Sequence, residues 1–216
     1  MSNNHSGTED DELLRVRHLV SPADVDIRIP ENRVDCIGAT NVLMEARLGL
    51  FCSIKCPGEL ILKLFDLAKE LRDRGVGVIS GFHAPMDKEC FDILLRGKGP
   101  IAWCPARSIE GMRLKPDYKR AIVERRLCIF SPFTENKRRM SAQMAEKRNN
   151  AVATLAKRLF VAYASPGGRI EHLCKFVLTT GKPIYTFESK HTESLLELGA
   201  KVATIDEITA VEGRAK

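Results

Sequence analysis

Apolar positions along the chain fall into two alternating patterns, short unbroken aliphatic runs and longer stretches with an apolar residue every third or fourth place. Leu48-Gly49-Leu50-Phe51-Cys52 is a run of strand length. Leu60, Leu64, Leu67, Ala68 and Leu71 then recur at helical spacing between Pro57 and Gly75, residues suited to a helix start and stop. Val76 to Ser80 is the next strand. Together they make a βαβ unit, which calls for a parallel pair and a right-handed crossover. The alternation continues with a helix carrying Phe91, Leu94 and Leu95, a strand from Ile101 to Cys104, and a helix from Pro116 to Arg125. A strand at Leu127 to Phe130 follows, then a helix through about Lys157 and a strand at Leu159 to Tyr163. A helix near Glu171 to Leu178, a strand at Pro183 to Phe187 and a helix at Glu193 to Leu198 close the series. About five or six βα units in a row predict an α/β fold, a doubly wound, mostly parallel sheet with helices on both faces, Rossmann-like.

The flanks carry less pattern. Residues 1 to 12 are polar with no apolar period and read as a disordered tail, and Leu13 to Leu19 as a helical turn. Arg33 to Ile37 alternates as a short strand, ended by Gly38-Ala39-Thr40-Asn41. The expected organisation is a tail and lead-in helix over 1–30, one Rossmann-like domain over 31–210, and a tail over 211–216. Between Ser131 and Asn150 lies the one stretch long enough for an excursion from the sheet.

In such sheets ligands bind beyond the carboxyl ends of the strands, where helix starts present free N–H groups to anions. Val76 to Cys90 is the stretch that fits this best. Its strand breaks at Ser80-Gly81, His83 follows, Pro85 suits a first helical turn, and Asp87 and Glu89 sit near the helix's positive end. Ser80-Gly81 is equally what a plain tight turn requires, and His83 alone is an ordinary loop histidine.

At 216 residues, 44% hydrophobic and 29% charged, the chain falls in the globular class. No apolar run approaches the roughly 20 residues of a membrane helix, and MSNNHSGTEDDE lacks the layout of a signal peptide, so a cytoplasmic protein with no membrane partner is expected. Seven cysteines without a secretory signal suggest reduced thiols. Cys52, Cys56, His83 and Cys104 are a set that could meet at one sheet edge and bind zinc, yet their spacing matches no zinc finger or ribbon, so no metal and no cofactor are called for. The net charge of +6 suits a polyanionic partner. Its placement is more telling, because residues 137 to 148 hold five Lys/Arg against one Glu. A solvated helix face reads the same way.

Taken in order, the small-residue loops over about residues 33 to 188 resemble those of the DNA-processing protein A (DprA/Smf) family, Rossmann-like proteins that bind single-stranded DNA and load the RecA recombinase. Cys52-Ser53-Ile54 stands where that family has G-S-R, with Lys55 one place after the missing arginine. Ser80-Gly81-Phe82-His83-Ala84-Pro85-Met86-Asp87 resembles S-G-x-A-x-G-I-D, and Lys147-Arg148-Asn149-Asn150 resembles the R-N-R segment. Leu127 to Phe133 matches the strand before S-E-x-P, Val161 to Gly168 the strand and small-residue turn before the last helix, and Gly181 to Tyr185 the G-R-x-V-F. The length accommodates the Rossmann-like core without the family's helical and winged-helix flanking domains. The resemblance implies a single-stranded DNA-binding protein of recombination or transformation, with a RecA-type recombinase as partner and a homodimer formed through the last units of the sheet. It places the phosphate-binding set on Ser53, Lys55, Ser80, Gly81, His83, Asp87, Lys147, Arg148, Asn149, Gly167 and Gly168.

A second reading is a nucleotide sensor or nucleotide N-glycoside hydrolase. Pro166-Gly167-Gly168-Arg169-Ile170-Glu171 resembles part of P-G-G-x-G-T-x-x-E in the lysine-decarboxylase-like phosphoribohydrolases, though the carboxylate position falls on Cys174. Asp87 or Glu171 would then serve as acid or base. A third is an interaction module whose basic helix binds an acidic protein. Stacking platforms for DNA come down to Phe82, Trp103 or Tyr163, each also a core candidate. Three expectations follow for the structure: anion-binding N–H groups after Ser80 or at Gly167-Gly168, a left-handed turn at Gly81, and exposed side chains at Lys147 and Arg148.

Overall fold

The computed structural model describes residues 6–20, 33–45, 48–133 and 141–209. Its strands are β1 (Arg17–Val20), β2 (Arg33–Ile37), β3 (Leu48–Cys52), β4 (Val78–Ser80), β5 (Ile101–Trp103), β6 (Leu127–Ser131), β7 (Arg158–Tyr163), β8 (Ile184–Thr186) and β9 (Lys201–Val202). The helices are α1 (Ser6–Leu13), α2 (Asn41–Glu45), α3 (Gly58–Asp73), α4 (Pro85–Leu95), α5 (Pro116–Val123), α6 (Ala142–Leu155), α7 (Arg169–Thr179), α8 (Glu193–Glu197) and α9 (Ile205–Thr209).

Among the described residues these strands form one sheet, ordered β1-β2-β6-β5-β4-β3-β7-β8-β9. From β6 to β9 neighbours are parallel, while β2 is antiparallel to both β1 and β6. Every residue of β3 and β6 is buried. Successive strand residues point to opposite faces, so both faces of the sheet are covered, as the unbroken apolar runs require. The expected α/β, doubly wound, Rossmann-like architecture is the one observed.

Chain order fixes where a ligand crevice can form. From β3 the strands advance outward through β4, β5 and β6, and then the chain returns to lay β7 on the other side of β3. Connections therefore leave β3 and β7 in opposite directions, and a gap opens beyond their carboxyl ends. Ser53 ties the two ends together: its N–H donates to the Tyr163 carbonyl at 2.9 Å and its hydroxyl accepts from the Ser165 N–H at 3.0 Å.

The amino-terminal segment departs from the expectation of a tail and a helical turn. Ser6–Leu13 is helical, and the helical turn expected at Leu13 to Leu19 is replaced by β1, paired with β2. The reason is tertiary. Leu13 is buried, Leu14 and Val16 pack on the core, and the Leu13 carbonyl accepts from the Gly38 N–H at 2.9 Å. Glu9 also pairs with Arg125, beyond the carboxyl end of α5. Local polarity gave no hint of contacts this remote. The short α2, β9 and α9 were likewise without a sequence signal. Residues 1–5, the carboxyl tail 211–216, and Lys137, Arg138 and Arg139 of the basic run lie outside the described residues.

Candidate nucleic-acid interface

Beyond the carboxyl ends of β3, β4 and β7 the sheet opens into a cleft of about 630 Å³. Ser53, Ile54 and Lys55 form one wall, Ser80, Gly81, His83, Ala84 and Asp87 the floor and a second wall. The amino-terminal half of α6, through Ser141, Ala145, Arg148 and Asn149, closes a third side, and Gly168, Arg169 and Ile170 at the start of α7 the fourth. Nine of the expected site residues thus converge here: Ser53, Lys55, Ser80, Gly81, His83, Asp87, Arg148, Asn149 and Gly168. Lys147 is exposed and does not line the cleft, and Gly167 lines a neighbouring hollow.

Arg148 is the centre of the arrangement, and it is buried, only 7% exposed, instead of solvated as its place in a basic run suggested. It falls on the inner face of α6 with Met144, Asn149, Ala151 and Val152. Its Nε donates to Asn149 Oδ1 at 2.8 Å, while Nη1 is buried with no hydrogen-bond partner. Burial pushes the guanidinium's pKa down, the buried Cys104 and Asp87 oppose that, and Arg169 adds to it. An arginine stays charged through such a shift. A buried guanidinium with an unpartnered N–H, on a residue that lines an open cleft, is therefore a standing demand for an anion.

The same side chain explains Gly81. A Cβ there would lie 2.0 Å from Arg148 Nη1 and 2.4 Å from Cζ. Contrary to expectation, the left-handed residue of the turn is Phe82, with φ 43°, not Gly81. Glycine is required because the guanidinium lies across its Cα. Ser80 is structural, its hydroxyl donating to the Leu50 carbonyl at 2.7 Å and accepting from the Phe82 N–H at 3.4 Å. Phe82 is buried and stacks on Phe91, and Trp103 joins them, donating from Nε1 to the Gly81 carbonyl at 3.1 Å. Phe82 and Trp103 thus belong to a packed aromatic cluster, and Tyr163 is half-buried against the core.

The expected N–H donors are also redistributed. Gly167 N–H donates to Glu171 Oε2 at 3.2 Å, Gly168 N–H to the Ser165 carbonyl at 2.8 Å, and Ala84 N–H to Asp87 Oδ2 at 3.4 Å. These loops therefore hold their own shape with the donors once assigned to phosphate. The start of α7 differs. It has no side-chain cap, and Gly168, Arg169 and Ile170 border the cleft with the first-turn N–H groups that a helix leaves unpaired.

Asp87 is the second buried charge of the cleft, with Oδ1 unpartnered. Burial pushes its carboxyl up to about 7, against the pull of the Ala84 N–H, Arg148 and the His83 N–H. Its folded-state pKa lies above the unfolded value, so the folded chain keeps a proton that the unfolded chain releases between about pH 4 and 7. Stability contributed by that proton is complete below this window and lost as pH rises through it, up to about 4 kcal/mol in all. Asp87→Asn is expected to flatten the stability profile between about pH 4 and 7, measured by denaturant melts. An unchanged profile would remove Asp87 as its source. The exposed His83 is held below its ordinary value by partial desolvation, Arg148 and Lys88.

All seven cysteines are free, and no cluster of His, Cys, Asp and Glu among the described residues is arranged for a metal. Cys52 and Cys56 hydrogen-bond each other, which raises the first thiol and lowers the second. No described helix is long and apolar enough to cross a membrane.

No protein-family model matches the sequence, and no curated protein matches it. Solved structures do. DNA processing protein A from Streptococcus pneumoniae superposes with a TM-score of 0.72 at 13% identity, over 99% of this chain and 80% of that one. The Helicobacter pylori DNA processing protein A, solved for its single-stranded DNA binding mode, gives 0.70 at 16% identity, over 91% and 94%. The chain has the DprA fold. A molybdenum cofactor carrier protein from Chlamydomonas reinhardtii reaches 0.51 at 12% identity over 73% of this chain and 90% of its own, a related architecture with a looser match. On the DprA fold the motif resemblances acquire positions: the G-S-R and S-G segments end β3 and β4, and the R-N-R segment is the part of α6 that leans over them. Arg169 and Ser165 border the same cleft and were missed, because arginine and serine at a loop–helix junction carry no pattern by themselves.

Proposed function

We propose that this protein binds single-stranded DNA, seating backbone phosphate in the cleft between the ends of β3 and β7. The observation that carries the reading is the unpartnered Nη1 of buried Arg148, set across the cleft from the uncapped start of α7. Lys55 and Arg169, both exposed on the rim, extend the positive surface along which a strand would lie. The DprA fold, shared with a protein whose structure was solved for its single-stranded DNA binding mode, supports the same ligand. The wider reading is a DNA-processing protein of recombination or transformation, cytoplasmic, homodimeric and working with a RecA-type recombinase.

A small phosphorylated nucleotide is the second reading, favoured by Asp87. A carboxyl poised near pH 7 with one unpartnered oxygen, on a residue lining the cleft, suits a general acid for N-glycoside cleavage. Glu171 does not, since Lys175 at 2.9 Å and the Gly167 N–H occupy it and hold its pKa down. Binding of a fluorescent oligonucleotide with mononucleotide as competitor, at about 50 and 200 mM salt, separates the two. DNA binding predicts salt-sensitive retention with no competition by mononucleotide. Competition at low micromolar concentration, with free base released, would install the second reading instead.

A further inference from the structure

Beside the phosphate cleft lies a second hollow of about 340 Å³ between α6 and α7, and the two share Asn149 and Arg169 as a common border. On α7 the residues Arg169, His172, Leu173 and Phe176 fall at i, i+3, i+4 and i+7, which puts them on one face of the helix. Leu173 is buried and forms the apolar floor, whereas Phe176 is 59% exposed, with its ring bordering the hollow. Asn149 and Asn150 face it from α6, both able to donate and accept hydrogen bonds.

We infer that this hollow holds a nucleobase of the bound strand, stacked on Phe176 beside His172, with Arg169 neutralising the phosphate that links it to the cleft. The inference rests on the single-stranded DNA reading above and adds the base-binding half of the site. Three features select this occupant. The hollow is continuous with the cationic cleft through Arg169, so a chain leaving the cleft enters it without crossing neutral surface. An exposed aromatic ring over an apolar floor offers any base a π-face, the sequence-tolerant contact that single-strand binders use. Finally, Phe82 and Trp103 are committed to the core cluster and Tyr163 packs on the core, which leaves Phe176 as the large aromatic exposed among the described residues. Glu146 on the α6 side disfavours phosphate inside the hollow and can accept from a base amino group, which orients the nucleotide base-inward.

The test compares oligothymidylate with an abasic deoxyribose-phosphate oligomer of the same length, on the whole protein and on Phe176→Ala and Phe176→Trp. Removing the ring should weaken oligothymidylate binding roughly 5- to 100-fold and leave the abasic oligomer unaffected. Phe176→Trp should restore binding, and its new indole fluorescence should be quenched by oligothymidylate but not by the abasic chain. Equal loss for both ligands, or none, overturns the base site while leaving the phosphate cleft standing. So does unquenched indole at saturating oligothymidylate, or a Phe176→Ala effect confined to self-association. If neither oligomer binds the wild-type protein, the DNA reading and this inference fall together.

Discussion

Arg148→Glu is expected to destabilise the fold by about 3–5 kcal/mol, whereas Lys147→Glu, one residue away, changes stability by less than about 0.5 kcal/mol. The contrast follows from placement alone. Lys147 is exposed, while Arg148 is buried over Gly81 with its charge set against Asp87. A carboxylate there would put two acids in one pocket with no buried cation, and one would have to be protonated. Thermal and denaturant melts of the two variants read the difference directly; equal stabilities would mean that Arg148 is solvated after all. Arg148→Gln, which keeps a polar head without the charge, separates binding from folding. It should lower affinity for every oligonucleotide sequence alike and flatten the slope of log affinity against log salt by roughly 0.7 for one lost phosphate contact.

Gly81→Ala is expected to remove binding as effectively and to destabilise by about 1–3 kcal/mol through overpacking. A single methyl suffices, because its Cβ would overlap the guanidinium at 2.0–2.7 Å from three of its side-chain atoms. Glycine's conformational freedom is not the cause, since the left-handed residue is Phe82. The two explanations differ in a double-mutant cycle. If crowding is the cause, Gly81→Ala costs little once Arg148→Ala has vacated the space, giving a coupling of roughly 0.5–3 kcal/mol. Additive costs would point back to the backbone.

The fold class and nearly every central element were legible because a strand buried on both faces must be apolar throughout. Leu48–Cys52 has the predicted boundaries, and α3 to α7 lie within a few residues of theirs. What stayed hidden depends on which side of an element faces a neighbour. Arg148 sits in a run of charges whose period does not reveal that this one arginine turns inward over a glycine distant in sequence. The same blindness assigned phosphate to the N–H groups of Gly167 and Gly168, which the loop uses for itself. It also passed over Phe176, whose place at helical spacing marks it as core until the structure leaves it exposed. The loops were found from their small residues. Arg148 was named from the motif resemblance, but its burial over Gly81 is visible only in three dimensions.

The central claim is that the idle Nη1 of Arg148 receives a phosphate, and a crystal structure with a short oligothymidylate tests it most directly. The predicted result is a phosphate oxygen about 2.7–3.0 Å from Nη1, with a second contact to the first-turn N–H groups of α7. An oligomer bound elsewhere with the cleft holding only water, or Nη1 of Arg148 partnered by a protein group in the complex, would contradict it.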